Sequence, residues 1–168
     1  WTMGTLFHTI TRETGLELQL MSALGFDAAT IGNHEFDFRP AGLAQMIRSG
    51  LREAGSIPVL LSSNIQFDPE DPSDDTMASL MDENIIRRTY IIERGGIRFG
   101  LLGLLGLDAV EVTTTLGPLR FDNPMEAASQ WARKLKQEDK VDVVILLSHC
   151  GILQNPDGSY GGEEVEIV

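Results

Sequence analysis

The chain has 168 residues, 42% hydrophobic and 23% charged, which suits one globular domain able to bury a real core. Its formal charge of −12 argues against a nucleic-acid polymer as partner, since such proteins carry a basic footprint, yet it leaves room for a small phosphorylated substrate beside a divalent cation. A single cysteine excludes an internal disulfide, and the longest apolar run, residues 99–107, is far short of the ~18–20 residues of a membrane helix.

In chain order, residues 4–24 read as helical, interrupted at Gly15, with Leu16, Leu20 and Leu24 spaced as one helix face and Gly25 as the stop. His8 falls in this segment as a surface or packing residue. Residues 27–31 form an apolar strand that runs into a loop at residues 32–37. Pro40 opens the next helix, whose stripe of Leu43, Met46, Ile47 and Leu51 ends near Gly55. Residues 58–61 read as a buried strand leading into Ser62, Ser63 and Asn64, with Asn64 read first as a strand-end turn and, as the alternative, as a residue approaching the site. Residues 68–82 are acidic, contain two prolines and show no strong period, so they read as a solvated loop. They match an EF-hand only in charge.

Residues 89–94 and 97–102 flank Gly95-Gly96, a hairpin signal. Gly100, Gly103 and Gly106 lack the spacing of a dinucleotide fingerprint and fit close backbone packing better. Asn123-Pro124-Met125-Glu126 is a helix start, and Ala127, Ala128, Trp131 and Leu135 supply its buried face. Residues 141–147 read as a strand buried on both faces, which delivers Ser148 and His149 at its carboxyl end. The segment 155–162 is turn-rich, and Glu163 begins another helix or strand. The alternation of elements indicates an α/β fold.

Chemistry concentrates in Gly32-Asn33-His34-Glu35-Phe36-Asp37, where an amide, an imidazole and two carboxylates follow a strand end, the place where ligands bind in α/β sheets. A second candidate, Leu146-Leu147-Ser148-His149-Cys150-Gly151, follows the strand at 141–147. The first stretch resembles the Asn-His motif of the calcineurin-like metallophosphoesterases, in the form of their 5′-nucleotidase and 2′,3′-cyclic-nucleotide phosphodiesterase branch. The second is similar to that branch's Ser-His-x-Gly motif. The resemblance implies part of a four-layer α/β/β/α sandwich, with residues 1–168 the central part of a single metallophosphoesterase domain truncated at both ends. It also implies hydrolysis of phosphate esters of nucleotides or cyclic nucleotides, with two divalent metal ions (Zn, Mn or Fe) in the parent enzyme. Periplasmic or extracellular localisation follows from family habit alone.

On this resemblance Asn33 and His149 bind one metal through an amide oxygen and an imidazole nitrogen. His34 stabilises the transition state or protonates the leaving oxygen, and Asp37 orients the ring; an imidazole suits proton transfer near neutrality. The competing readings are plain: Asn33 as a turn residue, His34 and Asp37 as a surface pair, His149 as a hydrogen-bonded strand-end histidine. Glu35 reads as an exposed or supporting carboxylate outside the site, Phe36 as packing beneath the loop, and Cys150 as an inert buried thiol. A zinc-protease helix is excluded, because no second histidine follows His34-Glu35 at the required spacing.

The sequence departs from the family pattern in three places. No Asp-x-His pair precedes the first motif, no Gly-Asp supplies a bridging aspartate, and no Gly-His-x-His follows His149. The chain thus offers two ligands for one metal and none for the other, and reads as a fragment that is inactive alone. The alternative is a non-catalytic α/β binding or assembly domain that keeps the scaffold without a complete metal site.

Overall fold

The computed structural model describes residue 1 and residues 6–167. The predicted helical start at Gly4 and Thr5, and the side chain of His8, lie outside the described residues. Helices α1 (Leu6–Thr14) and α2 (Leu16–Ala23) are separated by Gly15, whose left-handed φ of 61° turns the chain sharply. A Cβ at Gly15 would lie 2.5 Å from the Gly50 nitrogen and the Met46 carbonyl oxygen, so only glycine lets this elbow rest on the following long helix.

Strand β1 (Ala28–Thr30), a single 3₁₀ turn (His34–Phe36) and helix α3 (Arg39–Ala54) follow. The α3 stripe buries Leu43, Met46 and Ile47, and Gly55 caps the helix in a left-handed conformation, its N–H donating to the Leu51 carbonyl. Strands β2 (Val59–Leu61) and β3 (Ile65–Gln66) lead to α4 (Asp75–Asp82), β4 (Ile86–Arg87), β5 (Thr89–Arg94) and β6 (Ile97–Leu105). The remaining elements are α5 (Leu107–Glu111), β7 (Arg120–Phe121), α6 (Pro124–Gln137), β8 (Val143–His149), a small β9–β10 ladder (Leu153–Gln154 with Tyr160–Gly161) and α7 (Glu163–Ile167).

Two three-stranded sheets organise the molecule. The first, β1-β2-β4, is parallel; the second, β5-β6-β8, joins an antiparallel hairpin to a parallel edge strand. Gly95 and Gly96, both with positive φ, make the two-residue turn of that hairpin. Alternation along β6 divides its side chains between two cores. Leu102 and Leu104 pack with Ala127, Leu135 and Val141 on the α6 side, whereas Leu105 joins Leu60, Ile47 and Phe36 on the other. Gly103 is the point of closest approach between the sheets: a Cβ there would lie 2.6 Å from Leu61 Cβ and 2.7 Å from Thr30 Oγ1. Helices α2 to α4 cover the first sheet, with α1 packed on α3, and α6 covers the second, which gives an α/β/β/α layering.

Three sequence expectations need correction. The face formed by Leu16, Leu20 and Leu24 is exposed; the buried α2 residue is Leu18, which packs over Gly50, because the Gly15 elbow resets the helical phase. Residues 68–82 are not loop throughout, since α4 occupies 75–82 and buries Met77 and Leu80. The strand at 143–149 is not buried on both faces: among the described residues it is the edge of its sheet, and Val143 and Ile145 are exposed.

Candidate active site

The loop after β1 is held in shape by its own carboxylate. Glu35, read from sequence as exposed or supporting, is buried, and its Oε2 accepts the Gly32 N–H at 2.7 Å. Phe36 is fully buried beneath the turn and meets the Phe121 ring edge-to-face at 6.1 Å. With Glu35 and Phe36 pointing inward, Asn33, His34 and Asp37 are left on the solvent side of the loop.

His149 reaches the same loop from the other sheet. On β8, residues 145, 147 and 149 share the face turned toward the first sheet, while Ser148 points to the α6 side. The His149 ring lies against Gly32, where a Cβ would approach Cε1 and Nδ1 to 2.9 Å. Its Nε2 donates to Asn33 Oδ1 at 2.9 Å, across 116 residues of sequence. The second pair, His34 Nδ1 and Asp37 Oδ2, stands 3.3 Å apart on the half-exposed rim. The structure therefore brings Asn33 together with His149, and His34 together with Asp37.

The donor chemistry suits one edge of a transition-metal site. An amide oxygen and an imidazole nitrogen 2.9 Å apart have the separation of neighbouring ligands on one octahedral ion, about 3 Å for bonds of about 2.1 Å at right angles. Among the described residues no group of three or more His, Cys, Asp or Glu could hold a metal ion.

Cys150 follows the site and is half-buried rather than buried, and this partial burial pushes its thiol pKa above the ordinary value. The sequence reading left three residues that shape this loop outside the site. Gly32 makes room for the imidazole, Glu35 locks the loop, and Asn64, read as a turn, is fully buried with its side chain bonded to Leu105 and Asp122. A glycine directly before Asn33 and an amide directly after a strand were the available signals.

No protein-family model matches the chain. It is 28% identical over 166 residues to an apyrase of Tabanus yao, covering 98% of this chain and 27% of that protein. It is 31% identical over 170 residues to a probable 5′-nucleotidase of Treponema pallidum, covering 99% and 25%. The chain thus spans about a quarter of the length of the curated relatives it matches. Its structure resembles a 5′-nucleotidase precursor from Thermus thermophilus, with a TM-score of 0.68 at 20% identity, over 95% of this chain and 36% of that one. It also resembles the calcineurin-like phosphoesterase YfkN from Bacillus subtilis, with a TM-score of 0.58 at 21% identity, over 94% and 46%. The homologues of this chain are apyrases and 5′-nucleotidases, and its fold is that of the calcineurin-like phosphoesterases.

Proposed function

We propose that this chain supplies part of the active site of a metal-dependent phosphoesterase that hydrolyses phosphate esters of nucleotides. The observation that carries the reading is the 2.9 Å meeting of Asn33 Oδ1 and His149 Nε2 at the carboxyl ends of strands from two different sheets. Asn33 and His149 would hold one divalent ion, zinc, manganese or iron by the mixed nitrogen and oxygen donors. Such an ion supplies charge neutralisation on the phosphoryl oxygens and activation of a water. The other ligands would come from outside the described residues, so residues 1–168 form part of one larger domain and have no turnover alone.

His34 stands beside this pair without joining it. Asp37 holds its Nδ1, which leaves Nε2 as the atom that gives a proton to the leaving oxygen. The 3.3 Å separation is typical of a catalytic hydrogen bond that tightens when substrate binds. Among the described residues no helix is long and apolar enough to cross a membrane. The precursor form of the Thermus relative agrees with export to the periplasm or cell exterior, which we include in the proposal. The second reading, a non-catalytic binding domain, is favoured by the incomplete donor set alone.

The test is metal analysis and nucleotide turnover of the complete protein. His149→Ala is expected to strip bound metal, whereas His34→Ala keeps the metal and loses about 10²–10⁴ in kcat, the range of a general acid. Equal metal loss in both variants would remove the division of roles. Absence of metal and of turnover in the wild type would favour the binding domain.

A further inference from the structure

We propose that Asn64 is a positioning residue that sets His149 against Asn33, an inference that rests on the site reading above. Asn33 hangs from β1 in the first sheet and His149 ends β8 in the second, so their separation is only as well defined as the registration between the sheets. Residues 62–64, which leave β2, carry the connection. Ser62 N donates to the Arg87 carbonyl within the first sheet. Ser63 N donates to the Gly103 carbonyl at 2.7 Å, and Gly103 N returns a bond to Ser63 Oγ at 3.0 Å.

Asn64 completes the link at the level of the site. Its Nδ2 donates to the Leu105 carbonyl at 2.8 Å and to the Asp122 carbonyl at 3.0 Å, while Oδ1 accepts the Leu105 N–H at 3.2 Å. Leu105 is the ladder partner of His149, and the next residue, Gly106, donates its N–H to the His149 carbonyl at 3.0 Å. A short path therefore runs from the strand beside β1, through one side chain, to the backbone that carries the imidazole.

Only an asparagine meets these demands. The side chain must donate twice and accept once, which an ionised aspartate or a leucine cannot do, and glutamine is one methylene too long for a fully enclosed position. By gripping both the N–H and the carbonyl of Leu105, the amide holds the two peptide groups that flank this residue. Positioning shells of this kind hold ligands in orientation without touching the reacting atoms.

The experiment uses the complete protein, ¹⁵N-labelled at histidine, with the His149 imidazole resonances assigned by their loss in His149→Gln. Asn64→Leu and Asn64→Ser are compared with Leu80→Ala, a core change on α4 that leaves the Asn64 hydrogen bonds intact. In both Asn64 variants the metal-free His149 resonances are expected to shift, and Zn²⁺ affinity to fall by about tenfold or more. Leu80→Ala is expected to lower Tm and leave the resonances in place. Should Asn64→Leu fail to fold, Asn64→Ser carries the comparison, since it leaves room for a bridging water. Asn64 variants that lose Tm like Leu80→Ala but keep the wild-type His149 resonances overturn the proposal. If the wild type binds none of Zn²⁺, Mn²⁺ or Fe²⁺ and turns over no nucleotide, the phosphoesterase reading falls, and the metal-free resonances still decide the role of Asn64.

Discussion

At Gly32 the imidazole of His149 occupies the space a side chain would need. The added methyl of Gly32→Ala would stand 2.9 Å from Cε1 and Nδ1 and 3.0 Å from Glu35 Oε2, so the ring or the locking carboxylate must move. A displacement near 1 Å at a reacting site costs about a hundredfold in rate. We expect that loss in kcat/KM for Gly32→Ala in the complete protein, measured alongside Tm to show that the fold survives. The thiol of Cys150 gives a second prediction. Its folded pKa is raised, so its contribution to stability is fully present below the unfolded thiol value of about 8.5 and is lost as pH rises through the folded value. Because the thiolate is the reactive form, iodoacetamide at pH 8 should alkylate native protein more slowly than protein unfolded in urea. Equal rates would mean an exposed, ordinary thiol. Asn33, His34, Asp37 and His149, which the structure pairs as Asn33 with His149 and His34 with Asp37, were legible in the sequence because their side chains bear the donor groups themselves. Gly32 was not, and Glu35 and Asn64 were legible only as a supporting or exposed carboxylate and a strand-end turn, because each acts through a neighbour that only the fold supplies.

At the level of single elements, the clearest agreement is α6. Asn123 Oδ1 accepts from Met125 N at 3.0 Å and Glu126 N at 3.2 Å, with Pro124 at the first helical position. Asn123→Ala should cost about 1 kcal/mol, which for a protein of this size lowers Tm by roughly 2–4 °C; calorimetry or urea unfolding reads it directly. The α6 signal was strong because cap, proline and acidic residue are consecutive in sequence. In α4 the signal was diluted: Met77, Leu80 and Met81 carry helical spacing, but two prolines and a run of acids precede them. The α2 stripe misled for another reason. Leu16, Leu20 and Leu24 have ideal periodicity, yet a period shows that one face is apolar and not which way the elbow at Gly15 turns it.

Across the whole molecule, the layering depends on how closely two sheets stack. Gly103 permits that contact, and Gly103→Val would drive a branched side chain into Leu61 Cβ and Thr30 Oγ1. Overpacking of this kind costs about 1–3 kcal/mol; we expect the larger value, read as a lower urea midpoint, with loss of the Asn33–His149 contact as the sheets part. A wild-type midpoint would show that the interface is softer than its distances imply. The α/β alternation was readable because strands and helices differ in period. Which sheet each strand joins was not, since β8 returns to pair with β6 only after α5, β7 and α6 have intervened.

Strand β8 has a ladder partner on one side only among the described residues, and Val143 and Ile145 lie bare along it. Its seven residues include neither proline nor glycine, and the one titratable side chain, His149, stands at the very end. Such a rim is a template for another copy's strand, so this stretch kept in isolation will self-associate in a concentration-dependent, cross-β manner. Growth would start on the strand that ends in His149, and a lysine in place of Ile145 would be the natural gatekeeper against it.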